Sequence, residues 1–280
     1  MNKTFTDSIS NADTTPLDNG YAVDDNSTRE IIDEFTWPQV LVTLSSGLFL
    51  LLCDVIAHIT VLIITVVISR RCLNLKLQRT GEHAFYCTLA FVSFTSESLI
   101  ISHCWWMLDL IGKRNCDLVH IALGLMALCI GLLGISVEIY RRRFKSLKHL
   151  QTKVNPPVVH LTTHGALGFG GCILSAVCLA TGVALLFFSN LPLHLTHRFC
   201  GLLGFVVLMF CQWHAYNTEY IRRHWRFQTI RLLKWTTLVA TITSSIFEFK
   251  AITRDIVFLL PKEIFETIAV HDAPTHANQD

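Results

Sequence analysis

The sequence predicts an all-α fold, a six-helix transmembrane bundle, and three observations lead there. Its 280 residues are 51% hydrophobic and only 16% charged, with a mean hydropathy of +0.46, whereas soluble domains carry about one quarter charged residues. Apolar runs recur along the chain, each long enough to cross about 30 Å of hydrocarbon as a helix. The connections between them are short, so consecutive helices are antiparallel neighbours in one bundle.

Residues 1–36 are polar and acidic, with Asp7, Asp13, Asp18, Asp24, Asp25, Glu30, Asp33 and Glu34 against Lys3 and Arg29. No basic stretch followed by an apolar core marks a signal peptide there, and the composition is that of a disordered acidic tail. Asn2-Lys3-Thr4 and Asn26-Ser27-Thr28 fit the glycosylation sequon. The membrane domain is expected over 37–250, followed by a C-terminal segment and polar tail over 251–280.

From Trp37 to Ser69 the chain is almost wholly apolar, which is more than one crossing needs. The first helix is placed at 46–69, with 37–45 as an interfacial lead-in. The second is expected at 84–102, the third at 118–139, the fourth at 163–188 and the fifth at 198–216. A sixth at 232–247 is shorter and rich in threonine and serine, and 255–260 extends it. Glycines stud helices three to five: Gly124, Gly131, Gly134, Gly165, Gly168, Gly170, Gly171, Gly201 and Gly204. They allow close helix approach or leave room for the face of a flat macrocycle. Of ten cysteines, seven fall inside apolar runs, where cysteine acts as a small hydrophobe. No C-x-x-C or C-x-x-C-H occurs, so neither a zinc knuckle nor covalently attached haem is indicated. Cys104 and Cys116 flank one short loop and could pair were that loop lumenal. A net charge of +2 is too small to suggest nucleic acid.

Histidine carries the functional reading. His83 opens the run HAFYCTLAFVSFTSESL; His120, His164 and His197 open HIALGLMALCIGLLG, HGALGFGGCIL and HRFCGLLGF. An intramembrane histidine is costly and needs a partner or a metal. Helices two and four enter the bilayer from one side and helices three and five from the other. His83 and His164 therefore share one face of the membrane, and His120 and His197 share the opposite face. Haem iron takes one axial ligand on each side of its ring, and two imidazoles make a six-coordinate electron-transfer centre. The expectation is two haems in the central four helices, one between each histidine pair. His160 is an alternative to His164, which lies deeper and is followed by glycine; His214 sits at the wrong end of helix five, and His103 and His194 are expected in loops. Within helix one, Asp54 and His58 are one turn apart. They satisfy each other or point into the bundle, or else His58 borders a haem edge or substrate. Glu97, in mid-membrane, relays protons, tunes a haem, or is protonated and bonded to a neighbouring serine.

This pattern resembles the cytochrome b561 family, six-helix proteins with two b-type haems, and is most similar to its domain-containing, transmembrane reductase-like branch. The resemblance covers about residues 45–250. It rests on the histidine opening helix two, the LAF…F…SESLI stretch, His120 with its following LLG, HG-x-x-G at His164 and H-x-x-x-G-L-x-G at His197. One departure stands out: the family often has Trp-His-Pro at the first ligand, and Glu82-His83-Ala84 stands here. The resemblance implies two haem b groups with His83, His164, His120 and His197 as iron ligands. It also implies ascorbate as electron donor, monodehydroascorbate or ferric iron as acceptor, and a homodimer in the lipid bilayer. Ascorbate is an anion, so cationic side chains near the haem edges are candidate contacts. These are Arg79, Lys145, Lys148 and Lys153 on the His83/His164 face, and Lys113, Arg114 and Arg198 on the other.

Of 23 lysines and arginines, 15 lie in the loops 70–82, 140–161 and 218–235. The positive-inside rule makes those loops cytosolic and puts both termini outside, whereas the family usually places its termini in the cytosol. The rival functional class is a proton or metal-ion transporter using intramembrane His, Asp54 and Glu97. Against it, the histidines sit at helix ends instead of converging at the midplane, and no helix is broken there by proline.

Overall fold

The computed structural model describes residues 37–77, 80–151 and 162–259, and every regular element among them is helical. The acidic tail 1–36 and residues 260–280 lie outside the described residues, as do Arg79, Lys153 and His160. The chain divides into two compact units, Met1–Leu48 and Phe49–Asp280. The described part of the first, residues 37–48, is helical.

In chain order the helices are α1 (Trp37–Asn74), α2 (Thr80–Ile101), α3 (Trp105–Ile111), α4 (Lys113–Gln151), α5 (Thr163–Leu185), α6 (Leu191–Ala215), α7 (Glu219–His224) and α8 (Phe227–Leu259). Five of them, α1, α2, α4, α5 and α6, are long and apolar enough to cross a membrane. With 33 residues α8 has the length, but its threonines, serines and the pair Glu248 and Lys250 leave it more polar than the rest.

Helix ends differ from the expected ones because apolarity marks the stretch inside a bilayer, whereas caps mark where a helix stops. The supposed lead-in 37–45 is helical, with Pro38 near the start, where a missing N–H is harmless. Asn190 caps α6 by accepting from Leu193 N at 2.8 Å, and Pro192 follows. His194 is consequently in the first turn of α6 and not in a loop. Gly112, at φ +79°, turns the chain from α3 into α4 while its N–H bonds back to Leu108 O. All ten cysteines are free thiols, Cys104 and Cys116 included.

A stripe on α1, Ala57, Val61, Ile64, Ile68 and Cys72, is buried. Val61, Ile64, Ile68 and Cys72 belong to one core with Val92, Phe205, Met209, Ile230, Leu233 and Ala240 from α2, α6 and α8. The opposite face exposes Leu52, Val55, Ile59, Leu62 and Val66. A helix apolar on both faces suits lipid on one side and protein on the other.

At the end of α6 the buried Tyr216 hydroxyl lies 2.9 Å from Thr237 Oγ1, which itself donates to Leu233 O at 2.8 Å. The tyrosine is therefore the donor to threonine, and burial pushes its own pKa up to about 12. Tyr216→Phe should cost about 1 kcal/mol, read as a lowered thermal midpoint in detergent. An unchanged midpoint would show that the bond contributes nothing net.

Candidate functional site

Each of the four histidines arrives by a local device. Thr162 caps α5, its Oγ1 accepting from Gly165 N at 3.2 Å, so that His164 is the second residue of the helix. His83 is in the first turn of α2, where a β-carbon on Gly81 would stand 2.9 Å from the Tyr220 hydroxyl. Glycine at this position leaves room for the Tyr220 hydroxyl beside the helix start, and Ala84 stands where the family often has proline. His120 and His197 lie about two turns inside α4 and α6.

The bundle brings the rings together in the two pairs expected from helix direction. His83 and His164 have ring centroids 6.0 Å apart with planes at 81°. His120 and His197 stand 6.1 Å apart at 75°.

All four imidazoles are held in the same way. His83 Nδ1 donates to Gly134 O at 3.0 Å and His120 Nδ1 to Ser98 O at 2.7 Å, so α2 and α4 exchange bonds reciprocally. His164 Nδ1 donates to Cys211 O at 3.0 Å and His197 Nδ1 to Cys178 O at 2.9 Å, and α5 and α6 do the same. A carbonyl can only accept, so each Nδ1 carries a proton, and in the neutral ring that makes Nε2 the nitrogen with the lone pair. Three of the anchoring residues also donate back to the histidine they hold. Ser98 Oγ reaches His120 O at 3.0 Å, Cys211 Sγ reaches His164 O at 3.3 Å and Cys178 Sγ reaches His197 O at 3.5 Å.

A spacing rule underlies this lattice. The anchoring carbonyl follows the helix's own histidine by 14 residues in α4 (His120, Gly134), α5 (His164, Cys178) and α6 (His197, Cys211). Fourteen residues of α-helix rise about 21 Å, which sets the two histidine levels near opposite faces of a bilayer. In α2 the interval from His83 to Ser98 is 15. The extra residue is taken up by a π-helical segment, Thr88–Phe94, closed where Thr95 N–H and Oγ1 both reach Ala90 O. A wider turn absorbs one residue without losing register.

Volumes alternate at the same four places. A β-carbon on Gly124 would lie 3.7 Å from Ser98 Oγ, one on Gly168 3.3 Å from Cys211 Sγ, and one on Gly201 3.1 Å from Cys178 Sγ. Each of these glycines follows its histidine by four residues. In α2 that position is Cys87, and there the anchor is the glycine: a β-carbon on Gly134 would stand 2.9 Å from Cys87 Sγ. Each imidazole is thus flanked by one glycine and one small side chain. For these glycines, and for Gly131 against Phe91 and Gly171 against Leu208, close helix approach is the role.

Charges cluster at the His120/His197 end. Arg198 faces two carboxylates of α8, its Nη1 3.8 Å from Glu248 and its Nε 3.5 Å from Asp255. Glu248, buried in α8, also meets His103 Nε2 at 2.5 Å. Lys113 and Arg114 are exposed at the start of α4. On the other face, Lys145 and Lys148 lie in the stretch of α4 that continues past its apolar span, while Arg79 and Lys153 are outside the described residues. Glu97 has His58 as its partner, Oε2 to Nδ1 at 2.9 Å, and not a serine. Sequence reading missed the four anchoring residues, although a glycine, serine or cysteine 14 or 15 places after each of the four paired histidines was a signal available to it.

The residues present fit haem. Two imidazoles bound to one iron from opposite sides have centroids roughly 6 Å apart, given imidazole–metal bonds of about 2 Å, and a hydrogen-bonded Nδ1 is the usual second-sphere arrangement of a metal-bound histidine. Without a C-x-x-C-H motif, such a group is held by side chains alone. Bundle and site together define a membrane cytochrome of the b type.

The sequence matches the family model of eukaryotic cytochrome b561 over residues 82–223, just over half of the chain and including all four histidines. The chain belongs to that family and is a multi-pass membrane protein of haem-dependent transmembrane electron transfer. No curated protein and no solved structure matches it.

Proposed function

We propose that the protein carries electrons from ascorbate on one side of the membrane to monodehydroascorbate or ferric iron on the other through two b haems. His83 and His164 hold one, and His120 and His197 hold the second. The observation that supports this most is the identical treatment of four imidazoles, each with Nδ1 tied to a carbonyl and its ring about 6 Å from that of its partner. Bound haem supplies a one-electron iron couple. The chain's part is to fix the ligand rings before the iron arrives and to hold the two levels apart by a rigid rise of helix. Ascorbate gives up one electron and a proton to become monodehydroascorbate, and the acceptor gains that electron.

The loops rich in lysine and arginine follow or precede the helix ends that carry His83 and His164 in sequence, and the positive-inside rule supports a cytosolic face for that end. Exposed Lys113 and Arg114, with Arg198 beside Glu248 and Asp255, are the cationic groups offered to an anion at the other end.

The purified protein should contain two haems per chain, and ascorbate alone should reduce a substantial part of them, as read in oxidised and reduced visible spectra with haem counted. Protein in vesicles loaded with ascorbate should pass electrons to external ferric chelate. A well-folded preparation without haem, or one inert to ascorbate while fully reducible by dithionite, would sink the corresponding half of the proposal.

A further inference from the structure

A second cluster of ligand-type side chains lies away from the paired histidines. Asp54 and His58 on α1 and Cys104, just after α2, place one ligand atom each within 4.8 Å of one another. Both α1 residues fall outside the stretch matched by the family model. Asp54 is only 2% exposed, yet it uses one carboxylate oxygen alone. Oδ2 accepts from Trp106 Nε1 at 2.9 Å and from the Cys104 thiol at 3.3 Å. Its other oxygen, Oδ1, is buried without a hydrogen-bond partner, and so is His58 Nε2, which faces it across 3.6 Å. The remaining ring nitrogen of His58, Nδ1, is held by Glu97 Oε2 at 2.9 Å.

A charged His58 bonded to Asp54 is the simpler reading, and the geometry disfavours it. At 3.6 Å the pair leaves both Nε2 and Oδ1 unsatisfied, and a buried unsatisfied polar atom is what folded proteins avoid. A carboxylate on one imidazole nitrogen with a bare lone pair on the other is instead the outer-sphere arrangement of metal-bound histidine. Here two such unspent atoms converge with a thiol beside them.

We propose that Asp54 Oδ1, His58 Nε2 and Cys104 Sγ form a binding site for a transition-metal ion of borderline softness, best represented by Zn²⁺. One thiolate, one imidazole and one carboxylate is a donor set that disfavours calcium and magnesium, which take oxygen. Three protein ligands leave a fourth position of a tetrahedral ion open to water. As the sulfur–metal bond forms, the Cys104 thiol proton passes to solvent; Asp54 Oδ2 loses that donor and keeps Trp106. Glu97 and Trp106 are positioning residues, aiming His58 and Asp54.

The test uses the full-length, haem-loaded protein in detergent under reducing conditions, stripped with chelator and titrated with Zn²⁺. One Zn²⁺ per chain should remain after desalting, counted by mass spectrometry. His58→Gln, Asp54→Asn and Cys104→Ala should each weaken binding by about 100-fold or more, and Glu97→Gln by about 10-fold, the scale of second-sphere losses. An unchanged haem spectrum certifies the fold of each variant. Zinc-edge X-ray absorption on the unaltered protein should show a single sulfur at about 2.3 Å among nitrogen and oxygen ligands, so the proposal stands or falls even where variants do not fold. No retained zinc, a first shell without sulfur or with several, or full affinity in Cys104→Ala would overturn it.

Discussion

His164→Ala should remove one haem of two and stop transmembrane electron flow while leaving the second haem spectroscopically intact. The His83/His164 rings and the His120/His197 rings form separate pairs, so loss of one imidazole leaves the other pair's ligands in place. Haem per chain, counted as the pyridine complex, should fall by half, and vesicle-to-outside electron transfer should fall to background. His83→Ala should give the same result, and His120→Ala and His197→Ala should remove the other haem. The surviving haem is itself the control for folding. One secondary cost is expected: with His164 gone, Cys211 O loses the second of its donors and keeps its helical one, a penalty of about 1 kcal/mol for a lost hydrogen bond. His160→Ala, by contrast, should keep both haems. Retention of two haems in His164→Ala with loss in His160→Ala would transfer the ligand to the earlier residue.

The helical class and the pairing of histidines were legible because both follow from periodic features: apolar length, and the alternating direction of antiparallel helices. Helix ends were not. His194 was expected in a loop since the fifth helix was placed at 198–216, in the run that His197 opens, whereas the cap at Asn190 starts α6 earlier. Nor was the π segment in α2 readable, because Thr88–Phe94 has no composition that distinguishes it from α-helix. Its only trace is an interval of 15 residues where the other helices have 14, and that trace acquires meaning only once the anchoring carbonyls are known. For Glu97 a neighbouring serine was one of three expected roles, beside proton relay and haem tuning, because serines adjoin it in sequence. The partner it has, His58, belongs to a helix whose packing against α2 no local pattern encodes. Arg198 was read as a contact for an anion from its place beside His197; its nearness to Glu248 and Asp255 was not readable, because those acids come from α8, where the fold was hardest to delimit.

Gly134→Ala should destabilise the His83 pocket, and a second change at Cys87 should recover part of the loss. The added β-carbon would stand 2.9 Å from Cys87 Sγ, 3.0 Å from Tyr86 Cβ and 3.3 Å from Cys87 N. Sulfur can swing aside, but backbone cannot, so α2 and α4 must separate where His83 Nδ1 donates to Gly134 O. Overpacking of this kind costs about 1–3 kcal/mol, and it should appear as a lower thermal midpoint with preferential loss of the haem on His83 and His164. Gly170→Ala is the matched control, since nothing lies within 4 Å of its β-carbon position. The other three histidines show how the pocket can be built with the bulk on the anchoring side: glycine at 124, 168 or 201 faces Ser98, Cys211 or Cys178. Cys87→Gly together with Gly134→Cys imports that arrangement into α2 and α4. Cys87→Gly alone loses helix propensity worth only about 0.3 kcal/mol, cysteine being a poor helix former already, together with the packing of the thiol, and Gly134→Cys alone overpacks. In combination they should be less harmful than the sum of the two by about 1 kcal/mol, within the range found for residues in direct contact. Strict additivity would mean that the small-against-glycine alternation around the imidazoles is an accident of sequence and does not hold the ligands in place.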